Sequence, residues 1–347
     1  MQFTGYAEGI DEYSLQTVSK TATPVDVIVQ SPAPVLAKPV LSAYPQQVSI
    51  GQIITLTMRV TNNGLADAVN TTPNIYAISG DVNLLSGPEP LSVTVPANGG
   101  VKNFTWTYSA NSAGTLQFTG YARCNDAGID SDGTTSNTVL IQTPPVLNIS
   151  YQSLISPVSV GQEITVVMNV SNSGQATAIN TIPLLTPIKD SASVSKIIGP
   201  LPVSANISGG STVSFTWRYS TVTNGTVAFY MQAEGNDINS GLPVNEASPV
   251  TTSDVIIHTP VNLVSSIYTP NTVTIGQWYT VRMLVSNTGQ AQANSVAPSL
   301  LRLSGVGTSV RINGPTPSSI NINGGQSAVL MLHLKLLQKQ VKVQMIN

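Results

Sequence analysis

The chain has 347 residues, of which 9% are charged, a net charge of −2 and a single cysteine. Ordinary soluble domains carry about 25% charged residues, so no basic surface is expected for nucleic acid or anionic lipid, and one cysteine makes an internal disulfide impossible. No apolar run reaches the roughly 20 residues of a membrane span, while an apolar content of 41% is enough for packed cores and argues against disorder.

The first segment already has partners further along. FTGYAEGID from Phe3 returns as FTGYARCND from Phe118 and as FYMQAEGND from Phe229. Residues 1–33 therefore read as the C-terminal remnant of a repeat, and the chain as an internal piece of a longer protein. No basic stretch followed by an apolar one opens the sequence, so no signal peptide is expected.

Residues 34–144 read as a complete repeat. Within them VSIGQIITLTMRVTNNGLADA begins at Val48 and alternates with a period of two. Ile54, Leu56, Met58 and Val60 share one phase, and Thr55, Thr57, Arg59 and Thr61 the other. A strand puts the first set on a core face and the second in water, whereas a helix would mix them. Gly51 opens this strand and Asn63-Gly64 closes it, where glycine tolerates the positive φ of a tight turn. Pro73 marks a strand start or an edge, because proline cannot donate to a ladder. After Gly99-Gly100, FTWTY from Phe104 alternates again and is expected to bury Trp106. Another strand follows at Leu116 to Ala122, with Cys124 as a small side chain near its end.

Residues 145–260 repeat this order. VSVGQEITVVMNVSNSGQATA starts at Val158, Pro183 follows, and FTWRY starts at Phe215 with Trp217 as the core aromatic. Residues 261–347 begin in the same way, with VTIGQWYTVRMLVSNTGQAQA at Val273. Gly51, Gly161 and Gly276 are thus 110 and 115 residues apart, the size of a whole small domain. Met58, Met168 and Met283 are expected in three equivalent cores. The third copy departs from the pattern after Gly325: VLMLHLKLLQKQVKVQMIN stands where the aromatic strand is expected. This predicts a truncated repeat with an aberrant tail, through a frameshift or real divergence, although Leu330, Leu332, Leu334 and Leu336 still alternate. Fast amide exchange is expected in both end segments.

About seven short strands per copy, with turn signals between them, predict tandem immunoglobulin-like β-sandwiches, all-β beads on a string without the antibody disulfide. Short proline-bearing linkers, QTPPVLNIS and HTPVNLVSS, predict semi-rigid connections between neighbouring repeats.

The order VSVGQEITVVMNVSNSGQATA, a Gly-Gly turn, FTWRYS and a glycine-containing strand resembles the tandem repeats of bacterial and archaeal surface proteins, in particular the cell-adhesion-related bacterial domain, CARDB. The resemblance covers nearly the whole chain. It implies an extracellular or cell-surface stalk or adhesion module, facing an unknown surface or matrix ligand, and it carries over no catalytic residue and no cofactor.

Chemistry-bearing residues are sparse. His258 and His333 lie in different repeats with no Cys, Asp or Glu at metal-ligand spacing, and no carboxylate is placed to make either a catalytic base. NDAGIDSDG from Asn125 offers Asp126, Asp130 and Asp132 as oxygen ligands for calcium. A hairpin turn in which Asp and Asn bond the backbone explains the same residues. Glycosylation sequons occur at Asn70, Asn103, Asn148, Asn169, Asn206 and Asn224. Trp278, which replaces Ile53 and Glu163 of the other copies, is expected to be partly exposed at a strand start; a lone surface aromatic is more often incidental, and the other reading is a sugar-stacking or docking residue. The leading functional expectation is a non-catalytic structural or adhesive segment. The alternative is a carbohydrate- or calcium-binding accessory module of a larger extracellular enzyme, and a hydrolase comes last.

Overall fold

Strand Ile53–Asn62 carries out the alternation read above: Ile54, Leu56, Met58 and Val60 are buried, and Ile53 and Arg59 are exposed. The computed structural model of the chain describes residues 1–27, 32–189, 192–298 and 307–339. It divides into two compact units, Met1–Pro144 and Pro145–Asn347.

In the first unit, strands Val40–Tyr44, Ile53–Asn62, Gly100–Ala110 and Val82–Glu89 lie side by side in that order in one sheet. The second sheet runs Val93–Val95, Ala68–Ser79, Gly114–Cys124, Val139–Gln142 and Gln47–Ser49. The pairs are antiparallel except the last, in which Val139–Gln142 runs parallel to Gln47–Ser49. The two inner faces meet in one core, the arrangement of an immunoglobulin-like sandwich. Phe104, Trp106 and Tyr108 of one sheet face Leu116 and Phe118 of the other, and all five are buried. The Tyr108 and Phe118 rings lie 4.7 Å apart, tilted by 42°. Burial pushes the Tyr108 phenol pKa up.

The sandwich has more strands than the seven expected. The opening strand divides between the sheets at Tyr44-Pro45, so Val40–Tyr44 and Gln47–Ser49 join different layers. Pro73 is not at a strand start; it lies inside Ala68–Ser79, opposite Ala122. The short strand Val93–Val95 pairs only as far as Thr71, so beyond that point the proline faces an open edge, where a missing N–H costs no ladder bond.

The second unit repeats both layers. Leu147–Tyr151, Glu163–Asn172, Thr212–Thr221 and Val194–Leu201 make one sheet, and Val158–Ser159, Val255–His258, Gly225–Asp237, Ala178–Lys189 and Ala205–Ile207 the other. Met168, Phe215, Trp217 and Phe229 are buried between them. The third copy builds the first of these sheets from Leu263–Tyr268, Trp278–Asn287, Ser327–Lys339 and Gly307–Thr316. Of its second sheet, only Ala293–Val296 and Ile320–Ile322 pair among the described residues. The segment expected as an aberrant tail is thus a strand as far as Lys339. It occupies the place of the aromatic strand, in register: Met283 faces Leu330 as Met58 faces Phe104. Alternation of the leucines is enough for this, because the ladder is made by the backbone and needs only one apolar phase. The remainder of that tail, residues 340–347, lies outside the described residues. Among the described residues the third core comprises Val285, Ala293, Val296, Ile322 and Leu330, with Met283 half-buried against them.

Candidate functional site

Three polar groups lie at the centre of the architecture. Asn62, Asn172 and Asn287 end equivalent strands in the inward phase and are buried. Asn62 Oδ1 accepts from Val35 N and Gly64 N, each at 2.9 Å, and its Nδ2 donates to Ala66 O at 2.8 Å and Val95 O at 3.1 Å. Asn172 makes the same four bonds with Val146, Gly174, Ala176 and Ile207. Asn287 makes them with Asn262, Gly289, Ala291 and Ile322. Both donors and both acceptor directions of each amide are used. Each asparagine ties the chain entering its repeat to a turn and to a strand of the opposite sheet. Sequence reasoning missed them. Their signal was a polar residue two positions after Val60, Val170 and Val285, in the apolar phase, where an unpaired amide would be costly.

Within the second unit the junction between repeats is hydrogen-bonded directly. Thr259 O accepts from Gln290 N and Ala291 N at 3.2 and 3.0 Å, and Thr259 N donates to Gln290 Oε1 at 2.9 Å. Gly289 approaches the Pro260 carbonyl so closely that no side chain fits there.

Trp278 is exposed, as expected, at 64%, and Tyr268 on the neighbouring strand at 58%. Both line an open groove of about 420 Å³, together with Gln277, Thr280 and Arg282. Tyr268 sits opposite Arg282 across the strand pair. The corresponding positions are Ser42, Ile53 and Thr57 in the first repeat and Gln152, Glu163 and Val167 in the second. Glu163 there is ion-paired with Arg218. The aromatic–arginine trio is therefore not part of the shared architecture. Flat rings beside a guanidinium and amides offer stacking faces and hydrogen-bond donors to a polyhydroxylated ligand.

The acidic loop does not gather its carboxylates. Asp130 forms a two-pronged pair with Arg123 at 2.9 and 3.0 Å, while Asp126 accepts from Asn70 Nδ2 at 3.3 Å. Among the described residues no group of three or more His, Cys, Asp or Glu side chains is placed to hold a metal, Asp132 included. Turn bonding accounts for the related loops: Asp237 Oδ1 accepts from Asn239 N, and Asp11 Oδ1 from Tyr13 N and Ser14 N. The Ser14 bonds, with that from Tyr13, hold the Asp11 carboxyl pKa below its usual value. EDTA is expected to leave the thermal unfolding of the complete repeats unchanged; a drop reversed by calcium would make the Asp126 loop a metal site.

His333 Nδ1 shares a hydrogen bond with Thr280 Oγ1 at 2.9 Å, and His258 lies in strand Val255–His258. Cys124 is buried, with its thiol against Val69 O. Of the six sequon asparagines, Asn169 is half-buried and the others are exposed.

No protein-family model and no curated protein matches the chain. Among solved structures it is similar to domains 4 and 5 of the S-layer protein SbsC, at 17% identity over 43% of this chain and 67% of that one, with a TM-score of 0.25. It is also similar to the D00–D0 domain of intimin, at 13% identity over 63% of this chain and 100% of that one, with a TM-score of 0.26. For E. coli alpha-2-macroglobulin the identity is 9%, the coverage 79% of this chain and 20% of that one, and the TM-score 0.26. None of these likenesses brings an activity or ligand with it.

Proposed function

We propose that this chain is a non-catalytic structural and adhesive segment of a secreted or cell-surface protein, in which successive sandwiches set length and spacing. The observation that carries the reading is the asparagine tie. The same four bonds recur at the entry to all three repeats, at Asn62, Asn172 and Asn287. Such a tie fixes how the chain enters a domain. A spacer needs that property at every junction. Antibody raised against the repeats should label intact producing cells, and protease applied outside should remove the signal. Labelling only after permeabilisation overturns the surface assignment.

The Tyr268–Trp278–Arg282 groove favours a second reading, a carbohydrate-binding accessory role for the third repeat. Trp278→Ala should leave the melting temperature within about 2 °C, since surface substitutions of this kind stay near ±0.5 kcal/mol. It should also abolish binding to a printed glycan array. Equal array signals from parent and variant, or none from the parent, would leave the spacer reading alone.

A further inference from the structure

The outward face of the third repeat's first sheet differs from its counterparts. Strand Trp278–Asn287 turns Trp278, Thr280 and Arg282 outward, in the phase opposite to buried Val281 and Val285. Strand Ser327–Lys339 sets Lys335 opposite Trp278 and His333 opposite Thr280, and strand Leu263–Tyr268 sets Tyr268 opposite Arg282. Directly opposed residues in a ladder share a face. Two aromatic rings and two cations therefore stand on one surface, with His333 between them.

At these places the complete repeats carry uncharged, non-aromatic side chains. Lys335 corresponds to Ser109 and Ser220, Arg282 to Thr57 and Val167, and Tyr268 to Ser42 and Gln152. The face is turned to solvent there as well: Ser42, Ile53, Gln152 and Glu163 are all exposed. Its openness thus comes from the phase of the strands and is common to every copy. Only its chemistry is peculiar to the third.

Charge follows the same division. All 16 acidic residues of the chain lie before residue 261, while six of its 14 basic residues lie after it. The net charge of −2 therefore combines an acidic excess in the earlier residues with a third repeat that has no carboxylate side chain. Among the described residues the ion pairs are Arg123–Asp130 and Arg218–Glu163, both in the complete repeats. Neither Arg282 nor Lys335 is neutralised among them.

We infer that this face binds an extended polysaccharide of uronic acids, an assignment that rests on the carbohydrate reading of the third repeat and names its ligand class. Sugar rings lie against the faces of Trp278 and Tyr268, and ring carboxylates take charge-assisted bonds from Arg282 and Lys335. The planar guanidinium fork matches a planar carboxylate. Tyr268, opposite Arg282, stands four residues from Trp278 along the ladder, roughly 13 Å at about 3.3 Å per residue. That span exceeds one sugar ring and calls for a polymer. Single-stranded nucleic acid needs a continuous basic groove, and two cations on an open face do not make one.

The test is biolayer interferometry of the full 347-residue chain on immobilised polygalacturonate. Binding should weaken steadily as salt is raised. It should be lost on the fully methyl-esterified polymer, which keeps the rings and removes the charge; neither result needs a variant. Arg282→Gln and Lys335→Gln should each weaken binding by about tenfold or more, the loss of one charge-assisted contact. Arg59→Gln, which removes an exposed cation from the equivalent strand of the first repeat, should leave it unchanged, and melting curves check that all three variants stay folded. No binding to polygalacturonate, equal binding to the esterified polymer, or equal binding to single-stranded DNA overturns the proposal. Trp278-dependent binding to neutral glycans alone keeps the carbohydrate reading and sinks this one. A blank glycan array together with no polygalacturonate binding sinks both.

Discussion

Asn172→Ala should destabilise the second repeat by about 3–5 kcal/mol, the sum expected when buried groups lose shared partners at ~1 kcal/mol or more each. The truncation removes no apolar surface to speak of. It takes a partner from each of Val146 N, Gly174 N, Ala176 O and Ile207 O, which the one amide joins. Asn172→Asp should fall between parent and alanine variant, because a carboxylate still accepts from the two N–H groups but cannot donate to the two carbonyls. Urea unfolding followed by Trp217 fluorescence reads the loss. A change below about 1 kcal/mol would mean that water replaces the amide at no cost and that the tie is dispensable.

Trp217→Ala should cost a similar amount, about 3–5 kcal/mol, for a different reason: lost transfer energy plus the cavity left behind. The indole is buried among Val166, Met168 and Phe215 of its own layer and Phe229 of the other. The chain passes so close at Gly199, with φ of +115°, that an added Cβ would strike Trp217 itself. That proximity leaves little freedom for the walls to collapse. Trp217→Leu should recover part of the loss, since Leu332 occupies the equivalent place in the third repeat, opposite Val281 as Trp217 is opposite Val166. Differential scanning calorimetry showing an unmoved second-repeat transition for Trp217→Ala would remove the indole from the core.

The strands were legible because a half-buried sheet imposes a period of two and the copies supply independent readings of it. Ile54 to Val60 and Phe104 to Tyr108 fall in the core as the alternation requires. The asparagines were not legible. Pattern reasoning equates the inward phase with apolar residues, and the partners of Asn62 are backbone groups that carry no sequence signature. The Gly-Pro-x-Pro segments at Gly87, Gly199 and Gly314 escaped for a related reason. Their glycines are needed for positive φ and for room beside Trp106, Trp217 and Leu332, contacts made across the sheet and far away in sequence. The tail after Gly325 was misleading because its residue types changed while its phase did not. As for the groove, Trp278 stood out as a substitution, but only the fold sets Tyr268 and Arg282 beside it.

The single parallel pair in each complete sandwich bears on how such a chain carries mechanical load. Gln47–Ser49, where the chain enters the repeat, runs alongside Val139–Gln142, where it leaves. Tension applied to the two ends drags these strands past each other lengthwise, so Leu140 N to Gln46 O and Ile50 N to Gln142 O are strained together instead of parting one at a time. The second repeat has the same clamp, with Val158–Ser159 beside Val255–His258 and Val160 N bonded to His258 O at 2.9 Å. Each complete sandwich therefore meets a pull on its ends as shear along one short ladder.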